Sequence, residues 1–260
     1  MHFHLPKPLH GWRAFVGEVG IIVIGVLIAL GAEQMVHEIQ ARRNAAQAQS
    51  RIRDELGDSM ILGIERIAIQ QCLRARLNEI AQGLAAGRTN WSQLVLPPRT
   101  GFPSAFREVY RMPSRNWVDD AYREALAQGD LNSVDPVQRA QLANIYKQID
   151  HVGQLNDTEN QLSTQINILQ FSPELSQTER NQMLATVTRL DWINGLIVVI
   201  ARQSFANFRT LGYQPTAAEI AEVRKAAWWS DQVKQMQAKY GGCVDTHAVA
   251  EFDRRLLDTH

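Results

Sequence analysis

Residues 15–35 read FVGEVGIIVIGVLIALGAEQM, and what they are decides what the rest of the chain hangs from. From Val19 to Ala32, fourteen consecutive residues are apolar or glycine. Extending back to Ala14 gives nineteen, interrupted only by Glu18. About twenty apolar residues, each rising about 1.5 Å, cross the ~30 Å hydrocarbon layer of a bilayer. Three readings fit such a run: an uncleaved membrane anchor, a signal peptide cleaved near Ala29-Leu30-Gly31, and the core helix of a soluble domain. The anchor is the expected one, because the helical pattern continues past Glu33 without a breaker. The sequence therefore predicts an all-α protein. A polar tail (residues 1–13) leads to a single N-terminal transmembrane helix (14–36), which continues into an extramembrane helical bundle (37–260).

The span is patterned. Glu18, Ile22, Gly25, Ala29 and Ala32 follow at steps of four and three, so they share one stripe. Gly25 and Ala29 form a small-xxx-small pair, which permits close approach of another helix. A carboxylate at the edge of the hydrocarbon needs a partner, a proton or headgroup water. The stripe reads as a docking face for another membrane helix. The alternative is an interfacial Glu18 beside small residues that are ordinary in membrane helices.

Gly17-Glu18, the Val/Ile span and the segment IGVLIAL at 24–30 resemble the N-terminus of a group of uncharacterised bacterial single-pass membrane proteins. In that group a Gly-Glu pair opens an Ile/Val/Leu span, and an amphipathic helix follows. The resemblance covers roughly residues 12–56. It implies a bacterial inner-membrane protein and no assigned activity.

The chain balances 27 basic against 27 acidic residues over 260 positions, which argues against a broad nucleic-acid footprint. In the tail, Pro6 and Pro8 disfavour a helix, and His2, His4 and His10 have no ligand-like spacing. Trp12 and Phe15 suit an interfacial aromatic anchor. Lys7, Arg13 and the terminal amine before the span nearly balance Arg42, Arg43, Arg51 and Arg53 after it, a count that slightly favours a cytoplasmic bulk. Long domains translocate largely regardless of such charges, and the bulk is expected in the periplasm.

Beyond the membrane the pattern is helix after helix. Ile52, Leu56, Met60, Ile64 and Ile67, then Leu73, Leu77, Ile80 and Leu84, recur at steps of three and four. They predict a long helix over 37–87, with Gly57 and Gly63 as kink points and Gly83 and Gly87 at its end. Residues 88–104 form a Pro-rich loop. Its Trp91, Pro97, Pro98 and Phe102 are candidates for binding a partner, against the simpler reading of a connector. Helices are expected over 105–111, over 114–128 with Ser114 as cap, and over 135–171 starting at Asp135-Pro136. The Gln- and Asn-rich middle of the last suggests a partly exposed surface. Ser176 with Glu179, and Thr216 with Glu219, are capping boxes for helices to about 211 and 240. A short helix closes the chain over 246–257. Residues 192–201, apolar nearly all round, are expected as the buried central helix of the bundle. The pair Trp228-Trp229 reads as core or as a partner anchor. Asp119, Asp120 and Glu124 read as helix-start acids, not a site.

Cys72 and Cys243 form either one disulfide, as an oxidising compartment permits, or two buried thiols. No HExxH, GxSxG, Walker-type or GxGxxG motif occurs. No catalytic residue, metal site, cofactor or small-molecule substrate is therefore expected. The expected function is a non-catalytic accessory or structural subunit. It would dock through its transmembrane helix on integral membrane subunits of a larger complex of respiratory or photosynthetic type. The alternatives are a helical-bundle sensor or ligand-binding module and a membrane-tethered assembly factor or chaperone.

Overall fold

The computed structural model describes residues 12–97, 107–211 and 228–247. Residues 1–11 of the tail, Pro98, Phe102, the Thr216–Glu219 box, the side chains of Trp228 and Trp229 and most of the 246–257 helix lie outside the described residues. The protein is all-α, with no strand among the described residues. Helix α1 (Trp12–Ala85) is a single run of 74 residues, about 110 Å long at 1.5 Å per residue. Helices α2 (Asp120–Gln128), α3 (Pro136–Asn167), α4 (Gln177–Thr210) and α5 (Trp228–Tyr240) follow. Short 3-10 turns at Ser92–Leu94, Asp130–Ser133 and Ile168–Phe171 join them.

Helix α1 has two halves with different surroundings. From Phe15 to Asn44 no described side chain is buried. From Ala45 on, Ala48, Ile52, Leu56, Met60, Ile64 and Ala68 are buried at steps of three to four, and the series continues to Leu84. Gly57 and Gly63 lie inside the unbroken helix and do not end it. Its end is at Ala85, where Gly87 takes a left-handed φ of 68°. The Arg88 amide reaches back to the Gly83 carbonyl at 2.9 Å, closing the last turn.

Pairs along the helices give their directions. Residues 55 and 66 of α1 meet 146 and 159 of α3, so these two run parallel. Arg66 and Arg74 meet Asn194 and Asp191 of α4, while Phe208 shares a cluster with Ala48 and Ile52. Helix α4 is therefore antiparallel to α1, and these three helices form the core. Two apolar clusters are stacked along α1. One, around Ile52 and Leu56, includes Leu142, Ile145, Tyr146 and Phe208. The other, from Ile64 to Leu84, takes in Trp91, Tyr110, Ile166, Leu190 and Ile197.

Residues 107–119 correct two expectations. Neither 107–111 nor 114–119 is helical, and α2 starts only at Asp120. The segment runs back down the bundle, with Val109, Tyr110 and Met112 buried. Lacking helix or sheet partners, its amides are met by side chains: Val109 and Tyr110 both donate to Asn167 Oδ1, at 2.9 and 3.0 Å. Met112 precedes Pro113, which disfavours helical backbone there. At its lower end Glu55 accepts the Ala121 amide at 2.8 Å, supplying from α1 the N-terminal cap that Asp119 does not.

Other starts and stops follow the local chemistry. Asp135 accepts the Val137 and Gln138 amides ahead of α3, and Ser176 and Glu179 cap each other ahead of α4. The middle of α3 is partly exposed, as its composition suggested: Gln154, Asn160, Gln161 and Gln165 are exposed, whereas Asn156, Glu159 and Ser163 are buried. Residues 192–201 are not buried all round, since Trp192 is 62% and Val199 49% exposed. Helix α4 packs closely on both α1 and α3, while the second half of α1 also meets α2, α5 and the return segment.

Candidate functional site

Two features remain once the apolar packing is accounted for: a buried polar cluster enclosed by the Ile64–Leu84 apolar cluster, and the bare first half of α1. The cluster is built on Arg66, which is 2% exposed, and Glu159, which is fully buried. The guanidinium meets both carboxylate oxygens, through Nη2 to Oε2 and through Nη1 to Oε1 at 3.2 Å. Nη2 also donates to Asn156 Oδ1 at 3.2 Å and Nη1 to Asn194 Oδ1 at 3.4 Å. The Tyr110 hydroxyl donates to Glu159 at 3.1 Å and accepts from Asn194 Nδ2 at 3.0 Å. One charge pair thus ties α1, α3, α4 and the return segment together at one depth.

The cluster continues outward. Asn156 donates to the Arg115 carbonyl at 3.2 Å, and the Arg115 guanidinium grips Glu65 with two bonds of 2.7 and 2.8 Å. Lys239 of α5 stands 3.8 Å from the same carboxylate. Arg115 titrates above its usual range, chiefly through its hydrogen bonds to Glu65. The buried Arg66–Glu159 pair is balanced, and Glu65 is shared by the two cations Arg115 and Lys239. The chemistry of the arrangement is that of a register lock: a slip of any member leaves a buried charge unpaired.

Tyr110 is held well above its ordinary pKa, first by burial and then by the Glu159 carboxylate. The folded protein therefore keeps this proton where the unfolded chain, with tyrosine near pKa 10, loses it. Stability is expected to be unaffected by this group below about pH 10 and to fall as pH rises above it. Denaturant unfolding of the full chain in detergent between pH 9 and 11 checks this. Tyr110→Phe is expected to flatten the fall, and an unchanged slope in that variant would assign the fall to other groups.

The predicted stripe on α1 lies where the sequence placed it. Glu18, Ile22, Gly25, Ala29 and Ala32 are all exposed along one face. A Cβ added at Gly25 would meet nothing within 4 Å, so packing inside the chain does not call for glycine there. Among the described residues two helices are long and apolar enough to cross a membrane, by length and composition alone. The apolar window within Phe15–Ala85 is 0% buried, and that within Gln177–Phe208 is 39% buried, packed against α1 and α3.

Of the four loop candidates, Trp91 and Pro97 are among the described residues. Trp91 is fully buried beneath the end of α1, and its amide donates to Ser172 Oγ at 3.0 Å. Pro97 is exposed, and its carbonyl is taken by Arg111. Cys72 and Cys243 are joined in a disulfide. Among the described residues no three His, Cys, Asp or Glu side chains are grouped to hold a metal ion. An open groove of about 530 Å³ lies between α1 and α4, lined by Gln71, Arg74, Leu77, Asn78, Val187 and Asp191.

The sequence reading missed the Arg66 cluster. Its trace was present as the gap between Leu155 and Leu162 in the α3 stripe. Glu159 sits four residues after one and three before the other, a core position carrying a charge. In comparisons with known proteins, no family model, no curated protein and no solved structure matches this chain.

Proposed function

We propose that the protein is a membrane-anchored accessory subunit, in which α1 serves both as the transmembrane anchor and as a post of the bundle. The observation that carries this reading is the contrast along one unbroken helix. Residues 15–32 are apolar apart from Glu18 and none is buried, whereas residues 45–84 of the same helix bury a regular stripe. Bare apolar residues on this scale find their solvent in a bilayer. A helix without a break passes orientation directly from the membrane to the bundle. The stripe from Glu18 to Ala32 is then the face that meets another membrane helix, with Gly25 and Ala29 at the point of closest approach.

The Cys72–Cys243 bond supports an oxidising compartment and hence a bundle on the periplasmic side of a bacterial inner membrane. The polar interior supports a structural role, because its charges are engaged with one another. A sensor reading has one observation in its favour, the groove between α1 and α4, whose rim carries the Arg74–Asp191 pair at 3.4 Å.

Purification of the tagged chain from its native membrane in mild detergent, with native sizing and mass spectrometry, tests the proposal. The expected result is a large assembly of fixed stoichiometry, lost when Gly25 and Ala29 are changed to Leu. A lone chain or a homo-oligomer would overturn it.

A further inference from the structure

The disulfide joins two unlike places. Cys72 sits on the long helix α1 and is 8% exposed, within the upper apolar cluster. Cys243 lies past the end of α5, beyond a turn made by Gly241 with a φ of 86°, and is exposed. Beside it the Asp245 amide donates to the Ala68 carbonyl of α1 at 2.8 Å. The bond thus fastens the last described helix to α1 across 171 residues of chain.

The polar cluster beneath α5 is made without it. The Arg66 cluster is completed by α1, α3, α4 and the return segment, and Glu65 keeps both bonds from Arg115 without Lys239. The buried side chains α5 and its tail bring to the upper cluster are Met236 and Val244, beside partly buried Val233 and Tyr240. Exposed disulfides are the labile class, and exchange proceeds at whichever sulfur a thiolate can reach.

We propose that Cys72–Cys243 is a reducible clasp, opened at Cys243, the exposed residue of the pair, by an external dithiol and releasing α5 from α1 while the three-helix core stays folded. The dithiol's thiolate bonds to Cys243 Sγ as the S–S bond breaks, and Cys72 leaves as a thiolate that takes up a proton. The second thiol of the reductant then attacks the mixed disulfide and frees the Cys243 thiol. The reductant ends as its own disulfide, and the protein's cystine becomes two thiols. The inference rests on the geometry of this end of the bundle and is independent of the membrane reading.

A monothiol stalls the reaction at the mixed disulfide and so marks the sulfur attacked. The full chain in detergent is treated with reduced glutathione, quenched in acid, alkylated with N-ethylmaleimide and mapped by peptide mass. Hydrogen exchange is followed on the same sample. The expected result is glutathione on Cys243 and maleimide on Cys72, with amides of residues 228–247 losing protection by about tenfold or more while α3 and α4 keep theirs. Glutathione on Cys72, unchanged protection over 228–247, loss of protection throughout, or no adduct short of unfolding would each overturn it.

Discussion

Replacing Arg66 with alanine is expected to destabilise the bundle by about 3–5 kcal/mol, the range for removing one partner of a buried ion pair. The change leaves the Glu159 carboxylate in the interior with only the Tyr110 hydroxyl to answer it. It also leaves Asn156 and Asn194 without the donor they share. The companion variant sharpens the test. Arg66→Met combined with Glu159→Leu removes the charge and its desolvation together, and such replacements are neutral or stabilising by about 1–4 kcal/mol. Denaturant unfolding of the full chain in detergent, followed by circular dichroism, measures both. Equal and large losses in the single and double variants would show that the pair contributes net stability and not only register.

Trp91→Ala is expected to cost about 3–5 kcal/mol, as for other fully buried large aromatics. The indole lies under Gly83 so closely that a Cβ there would stand 2.8 Å from the ring. The two residues fit each other, and Gly83→Ala alone is expected to cost about 1–3 kcal/mol by overpacking. In the cavity left by Trp91→Ala that methyl has room, so the double variant is expected to cost less than the sum. Unchanged stability in Trp91→Ala, with loss of partners from the purified assembly, would return Trp91 to the docking role its sequence context allowed.

The two residues show where the sequence is legible. Periodicity and caps are local, so the long helices, the Asp135-Pro136 start and the Gly87 stop could be read directly. Trp91 stands among prolines and polar residues, and its burial depends on a return of the chain that no local pattern announces. The same holds for residues 107–119, where Ser114 resembled a cap but Asn167, 50 or so residues away, sets the backbone instead. Arg66 and Glu159 are 93 residues apart, and each alone reads as a solvated charge on a helix. Trp192 failed in the other direction: an apolar run long enough to be a core helix has one face left bare.

The central claim is that α1 divides at about residue 37 into a part that belongs in a bilayer and a part that builds the bundle. Both apolar clusters and the Arg66 lock lie wholly beyond that point. Expression of residues 37–260 in an oxidising compartment, beside the full chain, measures this most directly. The predicted result is a monomeric, helical fragment that melts cooperatively without detergent, while the full chain stays with membranes until detergent releases it. A fragment that aggregates unfolded, or a full chain soluble without detergent, would contradict the account.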